Sequence, residues 1–341
     1  MSLFSNDIAI SLADDSFLFS TREHPEPLVI PAYVAMQAGT NRALAYGAEA
    51  KAMLGKAPEN ITVVRVLIEG MPGNYEAALA LLRHGMKKLH VRSIVRPRVI
   101  VPVPPGDPGN SAIKKMVMKH LVATGGAREV YLIDMGVATA IGMKLEIQKP
   151  ELHAVLSVSD DWFEFTVISL SGVLASAGGA IGTKTFVEDA RNHFIVSRQF
   201  KPDLQPLEDL LMSVGINAGA ASAVQGWEVW TGKSGQGGMT GQLLSPAEIT
   251  TGLMPSLVRI TERIKNTIRS LTHEQQSDLA RATIHATGSA MAIPGLAQTL
   301  ANQLGMAVTP FPATVHPSID GCRLALDELK FLRQVAPPKR R

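Results

Sequence analysis

Residues 98–134 read RVIVPVPPGDPGNSAIKKMVMKHLVATGGAREVYLID. Arg98 to Val103 is rich in β-branched residues and runs into Pro104-Pro105-Gly106, the pattern of a buried strand feeding a loop. Ser111 to Thr124 reads as a helix and meets a stop signal at Gly125-Gly126. Glu129 to Asp134 is the next strand. Strand, helix and strand in this order predict a parallel α/β unit.

Upstream, Ile8 to Leu12 reads as a short buried strand, Phe17 to Ser20 as its hairpin partner, and Leu28 to Met36 as a further strand. Asn74 to Leu89 places Ala77, Leu81, Leu82, Met86 and Leu89 at helical spacing. At Pro150 the pattern restarts with strands over Ala154–Ser159, Trp162–Ser169 and Val173–Ala177. The chain therefore carries a weak internal repeat, each half opening on a β-hairpin. Gly226 to Gly241, rich in Gly and Trp, predicts an exposed hairpin. Ser245-Pro246-Ala247-Glu248 is a capping box. It opens a helix with Ile249, Leu253, Leu257, Ile260, Ile264 and Ile268 on one face.

The 341 residues suffice for about two domains, and 46% apolar against 18% charged residues provides two cores. One cysteine excludes a disulfide framework or cysteine-built zinc site and fits a reducing compartment. A net charge of +3 and 5% aromatics argue against a nucleic-acid partner. The N-terminus lacks the basic and apolar regions of a secretory signal. The uncharged stretches Phe165–Thr183 and Ala282–Ile319 are broken by Gly, Ser and Pro and read as strands, turns and a helix rather than spans. The expected location is cytoplasmic.

Gly232-Lys233-Ser234 suggests a phosphate loop, but five residues separate Gly226 from Gly232 where the motif needs four. A hairpin loop is the better reading. The nine histidines show no metal-ligand spacing, no GxSxG motif occurs, and Cys322 lacks an evident base. Two turns are more informative: Ser11-Leu12-Ala13-Asp14-Asp15-Ser16 and Ser157-Val158-Ser159-Asp160-Asp161-Trp162. They are either solvated acidic turns or two sides of a functional cleft.

With these residues in view, the chain resembles the bacterial actins of the MreB type. The resemblance is carried by FSNDIAISL (4–12), GAEAKAMLGKAP (47–58), RPRVIVPV (96–103), AREVYLIDMGVATAIG (127–142) and ISLSGV (168–173). DGCRLAL (320–326) is more similar to the MamK-type actins. The resemblance implies an α/β, actin-like fold of two ribonuclease-H-like lobes around a nucleotide cleft, each lobe with a small subdomain. It implies lobe I from residues 1–150 and 305–336 (small subdomain about 33–64), lobe II from 151–304 (small subdomain about 185–245), and a basic tail at 337–341. It also implies head-to-tail self-assembly.

The departures fall in the implied nucleotide site. The family's first phosphate turn, Asp-Leu-Gly-Thr, is here Ser11-Leu12-Ala13-Asp14. The second, Asp-Ile-Gly-Gly-Gly-Thr-Thr-Glu, is Ser157-Val158-Ser159-Asp160-Asp161-Trp162-Phe163-Glu164, in which only Glu164 is kept. The water-orienting Glu falls on Met135, the adenosine-side Lys and Glu on Met212 and Ser213, and the triple glycine on Gly288-Ser289-Ala290. Phosphate turns use glycine so that backbone amides approach closely. Asp160 and Asp161 block that approach and add charge. One carboxylate about 4 Å from a phosphate charge costs on the order of 4 kcal/mol at an effective dielectric of about 20. Two would roughly cancel a micromolar affinity, about 8 kcal/mol. Met135 cannot orient water. The expectation is therefore absent or very slow hydrolysis and weak or lost ATP binding. No cofactor is assigned, and ATP with magnesium enters only if residual binding survives.

Asp14, Asp15, Asp160 and Asp161 could converge on a divalent cation or on bridging basic side chains, or point into a wet cleft. His90 to Arg98 matches the family's membrane loop, with Ile94-Val95 at the tip and Arg92, Arg96 and Arg98 around it. Such a rim suits the anionic inner membrane at about 1 kcal/mol per basic residue; the alternative is an ordinary loop before a strand. The resulting expectation is a cytoskeletal filament protein with a degenerate nucleotide site. The alternatives are a non-polymerising regulator or co-assembly partner of another bacterial actin, and a residual ATPase.

Overall fold

The computed structural model describes residues 7–12, 15–68, 71–89, 95–104, 111–216, 227–231, 240–244, 246–312 and 316–327. The chain divides into two compact units. Residues 1–151, 168–173 and 316–341 form the first, and 152–167 and 174–315 the second. In chain order the elements begin with β1 (Ile8–Leu12), β2 (Ser16–Thr21), β3 (Leu28–Pro31), β4 (Tyr33–Gln37), β5 (Ala43–Tyr46), α1 (Ala48–Ala52), β6 (Ile61–Arg65), β7 (Leu67–Ile68) and β8 (Met71–Pro72). They continue with α2 (Tyr75–Leu89), β9 (Arg98–Val103), α3 (Ser111–Gly125), β10 (Glu129–Asp134) and α4 (Met135–Gly142). Then follow β11 (His153–Val158), β12 (Phe163–Ser169), β13 (Gly172–Gly179), α5 (Thr183–Arg198), α6 (Leu204–Val214), β14 (Trp227–Thr231) and β15 (Thr240–Leu244). The last are α7 (Pro246–Arg269), α8 (His273–Leu279), β16 (Ile284–Thr287), a 3-10 turn over Ser289–Ala292, α9 (Leu296–Leu304), β17 (Val308–Pro310) and α10 (Pro317–Asp327).

The first unit's main sheet runs β10-β9-β1-β2-β3 and the second unit's β13-β12-β11-β16-β17. In the first, β9 is parallel to both β1 and β10. In the second, β16 is parallel to both β11 and β17. Each sheet thus begins with three strands laid side by side and extends beyond the first of them by two parallel strands. The internal repeat is a repeat of topology.

The periodicities explain the cores. Strand β9, expected to be buried, has Val99 through Val103 in the interior. On the first sheet, Phe17, Phe19, Leu81, Leu82, Val99 and Leu121 pack in one apolar cluster. Asn74 caps α2 by accepting the Ala77 amide at 3.0 Å. In the second unit, Ile249, Leu253, Leu257, Ile260 and Ile264 of α7 are fully buried with Phe163, Phe165, Phe186 and Phe194. Ala35, Ala45 and Ala50 form a third, small core under the sheet β5-β4-β6.

Helices α4 and α10 cross on glycines within the first unit. A Cβ on Gly321 would stand 1.8 Å from the Ala138 carbonyl oxygen, and one on Gly142 1.9 Å from that of Pro317. Only hydrogen fits at either position.

The apolar run Leu28–Met36, expected as one strand, is two strands in two sheets. The break is at Ala32, whose amide donates to the Asp15 carbonyl at 2.8 Å while its own carbonyl accepts the Val66 amide at 2.9 Å. One backbone position serves two different neighbours there. Strand β17 pairs with β16 in the second unit's sheet, so the chain returns to the first unit at His316 rather than at 305. Strands β14 and β15 form an antiparallel hairpin; the loop between them, with Gly232-Lys233-Ser234, and Ser245 lie outside the described residues. Among the described residues no helix is long and apolar enough to cross a membrane.

Candidate functional site

Open α/β sheets bind ligands outside the carboxyl ends of their parallel strands. In the second unit that edge is made by the residues after β11 and after β16, neighbouring parallel strands. Ser157, paired with Thr287, ends the shared register. The turn after β11 closes on itself, the Ser159 amide donating to the Trp162 carbonyl at 2.8 Å. Asp160 and Asp161 form its tip, where short acidic side chains suit a tight turn.

Helix α5 starts against this turn. The amides of Thr183 and Lys184 donate to the carbonyls of Ser159 and Asp160 at 3.1 and 3.0 Å. Gly182 is required at the approach, because a Cβ there would stand 2.3 Å from the Ser159 carbonyl oxygen. The first two helix amides, usually free to hold an anion, are thus taken by the turn's own carbonyls.

The carboxylates are engaged as well. Lys184 Nζ donates to both oxygens of Asp161, at 3.0 and 2.8 Å. Ser289 Oγ donates to Asp160 Oδ1 at 2.5 Å and ties the turn to the segment after β16. Gly288 allows this segment in: its φ is +104°, and a Cβ would stand 2.2 Å from the Val158 carbonyl oxygen. Ala290 is fully buried behind it. Burial, followed by the nearby charges of Asp160 and Asp209, raises the pKa of Glu208 on α6 from its ordinary value. Glu208 and Lys184 could be assigned to the site only from the structure: each lies many residues from the turn, on a helix with no motif of its own.

Trp162 covers the turn's far side; a Cβ on Gly178 would stand 2.9 Å from its ring. Glu164 is buried on β12 and accepts the Thr166 hydroxyl at 3.0 Å. Met212 packs against the second core, and the Ser213 hydroxyl donates to the Leu210 carbonyl of its own helix at 3.0 Å.

In the first unit, Ser11 is buried in β1 opposite Leu18. Ala13 and Asp14 lie outside the described residues. Asp15 is exposed and accepts the Ser16 hydroxyl at 3.2 Å. Met135 begins α4, and its carbonyl accepts the Thr139 hydroxyl at 2.8 Å. The adjacent carboxylate, Asp134, is paired with Lys115 at 3.2 Å. Among the described residues, no three His, Cys, Asp or Glu side chains are gathered to hold a metal ion. Of the expected membrane loop, Arg92 and Ile94 lie outside the described residues, Val95 is half-buried and Arg96 exposed. Arg98, expected beside the tip, is instead bound to Asp7, with Nε 2.9 Å from Oδ2.

A family model for the MreB/Mbl protein matches residues 5–334. The chain belongs to the MreB/Mbl family. It is 28% identical to the cell shape-determining protein MreB of Escherichia coli K12, over 90% of this chain and 89% of that one. It is 24% identical to the cell shape-determining protein Mbl of Bacillus subtilis, over 90% and 91%. Among solved structures, MreB5 of Spiroplasma citri bound to ADP superposes with a TM-score of 0.82 at 18% identity, covering 98% of this chain and 99% of that one. A subunit of the MamK double helical filament superposes at 0.71 and 15% identity, over 95% and 99%. The fold is actin-like, and the chain is a bacterial actin-type cytoskeletal protein by family.

Proposed function

We propose that this chain is a cytoplasmic, actin-like filament subunit for cell shape or intracellular positioning, with weak or lost ATP binding and hydrolysis. Support for self-assembly comes from family membership and from the likeness to the MamK filament subunit. The observation that carries the nucleotide part is the turn after β11. Asp160 and Asp161 stand where a polyphosphate would need glycine amides, and the surrounding donors, Ser289, Lys184 and the first amides of α5, are already engaged. A polyphosphate does not fit these residues. It would bring its charge to Asp160, Asp161 and Glu208 with Lys184 as the counter-cation. Met135 provides no base for water, and Asp134 beside it is paired with Lys115. Without turnover, assembly follows concentration, partners or an anionic membrane surface.

Two measurements test this. Nucleotide content of the purified protein is expected to be well below stoichiometric; one ATP or ADP per chain refutes the degenerate site. Electron microscopy with and without Mg-ATP is expected to show filaments in both conditions. Filaments only with ATP refute nucleotide independence, and none in either condition supports a regulator of another bacterial actin.

A further inference from the structure

We infer that Asp160 and Asp161 are built-in anions that keep an otherwise competent anion site closed to external phosphate. The inference rests on the reading of the second unit's turn as a degenerate nucleotide site and adds the physical cause of the closure.

The donors around the turn form a varied set. Ser289 contributes a hydroxyl and Lys184 an ammonium, while the first two amides of α5 stay on the turn's own carbonyls. Both side-chain donors are held by the two aspartates. A second, independent observation indicates a capacity for further ligands. Thr183, fully buried at the first position of α5, and Thr287, 4% exposed and immediately before Gly288, each carry a hydroxyl with no hydrogen-bond partner among the described residues. Buried hydroxyls normally find a partner, and leaving one without costs about 1–3 kcal/mol. Thr183 leaves the turn into α5 and Thr287 precedes the Gly288 that packs on it, so the surroundings of the turn have more hydrogen-bonding capacity than their own side chains satisfy.

The charge balance explains why nothing anionic enters. Around the turn, Asp160, Asp161, Glu208 and Asp209 bring negative charge, and Lys184 is paired with Asp161. Replacing both aspartates with the isosteric, neutral Asn removes two negative charges and releases the Lys184 ammonium and the Ser289 hydroxyl for an incoming anion. The turn keeps its length and its backbone bonds, since Asn suits the same turn positions.

The test uses full-length protein with inorganic pyrophosphate and Mg-ATP as probes, read by titration calorimetry and by thermal shift. Asp160→Asn/Asp161→Asn is expected to bind pyrophosphate at least about tenfold more tightly than wild type. Adding Lys184→Ala and Ser289→Ala to that variant is expected to remove the gain. The single variants Asp160→Asn and Asp161→Asn, each expected to give part of the gain, provide the same reading should the double variant fail to fold. A folded double variant with no gain overturns the inference and leaves the proposed function standing. Pyrophosphate binding by wild type as tight as by the double variant also overturns it. Stoichiometric ATP on wild type overturns the proposed function itself.

Discussion

Gly321→Ala adds one methyl group, and its expected cost follows from the crossing of α4 and α10. The new Cβ would lie 1.8 Å from the Ala138 carbonyl oxygen and 2.8 Å from the Gly142 amide nitrogen, where ordinary contact begins at 3.4 Å. Both neighbours are backbone atoms of a helix and cannot rotate aside, so the helices must separate. Around them Val137, Ala138, Ala140, Ile319, Cys322 and Ala325 are buried and would lose contacts together. Overpacking costs about 1–3 kcal/mol, and the backbone obstruction places this case near about 3. Ala favours a helix over Gly by about 1 kcal/mol, leaving a net loss of about 2 kcal/mol. At about 2–4 °C per kcal/mol, the melting temperature should fall by about 4–8 °C. Thermal unfolding followed by circular dichroism reads the shift. Gly142→Ala should behave alike, and the double variant should cost less than the sum, because one separation accommodates both methyls. Gly172→Ala is the control: its Cβ would meet nothing closer than 3.6 Å, and it should stay within about 0.5 kcal/mol of wild type. A Gly321→Ala protein melting within about 1 °C of wild type would refute the reasoning.

Leu257→Ala, fully buried in the second core, should cost about 2–5 kcal/mol in urea unfolding without altering the first unit. Glu208 has a raised pKa, caused first by burial and then by Asp160 and Asp209. Its contribution to stability is therefore present below the ordinary carboxylate pKa and lost as pH rises through the folded value. Glu208→Gln should accordingly raise the melting temperature at pH 7 and leave it unchanged near pH 3, and equal shifts at both would contradict this. His285 is held below its ordinary pKa, first by burial and then by His153. The unfolded chain then binds the extra proton, so stability should fall as pH drops below about 6.5; His285→Gln should flatten that part of the profile.

The strand at Arg98–Val103 was legible because a parallel strand buried on both faces is a near-continuous apolar run. The helix face from Ile249 to Ile264 was legible because one stripe carries the whole signal. The split of Leu28–Met36 was not, since nothing local marks it: Asp15 and Val66 capture the Ala32 backbone from elsewhere in the chain. The crossing of α4 on α10 was equally hidden, because Gly142 and Gly321 meet only after folding. At the candidate site, Asp160 and Asp161 were visible as departures from a glycine turn and Ser289 as part of the implied triple-glycine segment, whereas Lys184 was not: it belongs to a helix with no periodic relation to the turn.

Trp162, lying on Gly178 beside the two aspartates, gives this turn an optical label of its own. The chain has two other tryptophans, Trp227 and Trp230, both on β14. Replacing those two with Phe leaves a single indole three bonds of backbone from the acidic tip. Its emission then follows the local polarity of the turn as titrant, salt or neighbouring subunits are added, with no dye attached. The residue next to the two aspartates that replace the pattern's glycines is thereby the spectroscopic handle for finding out what they do.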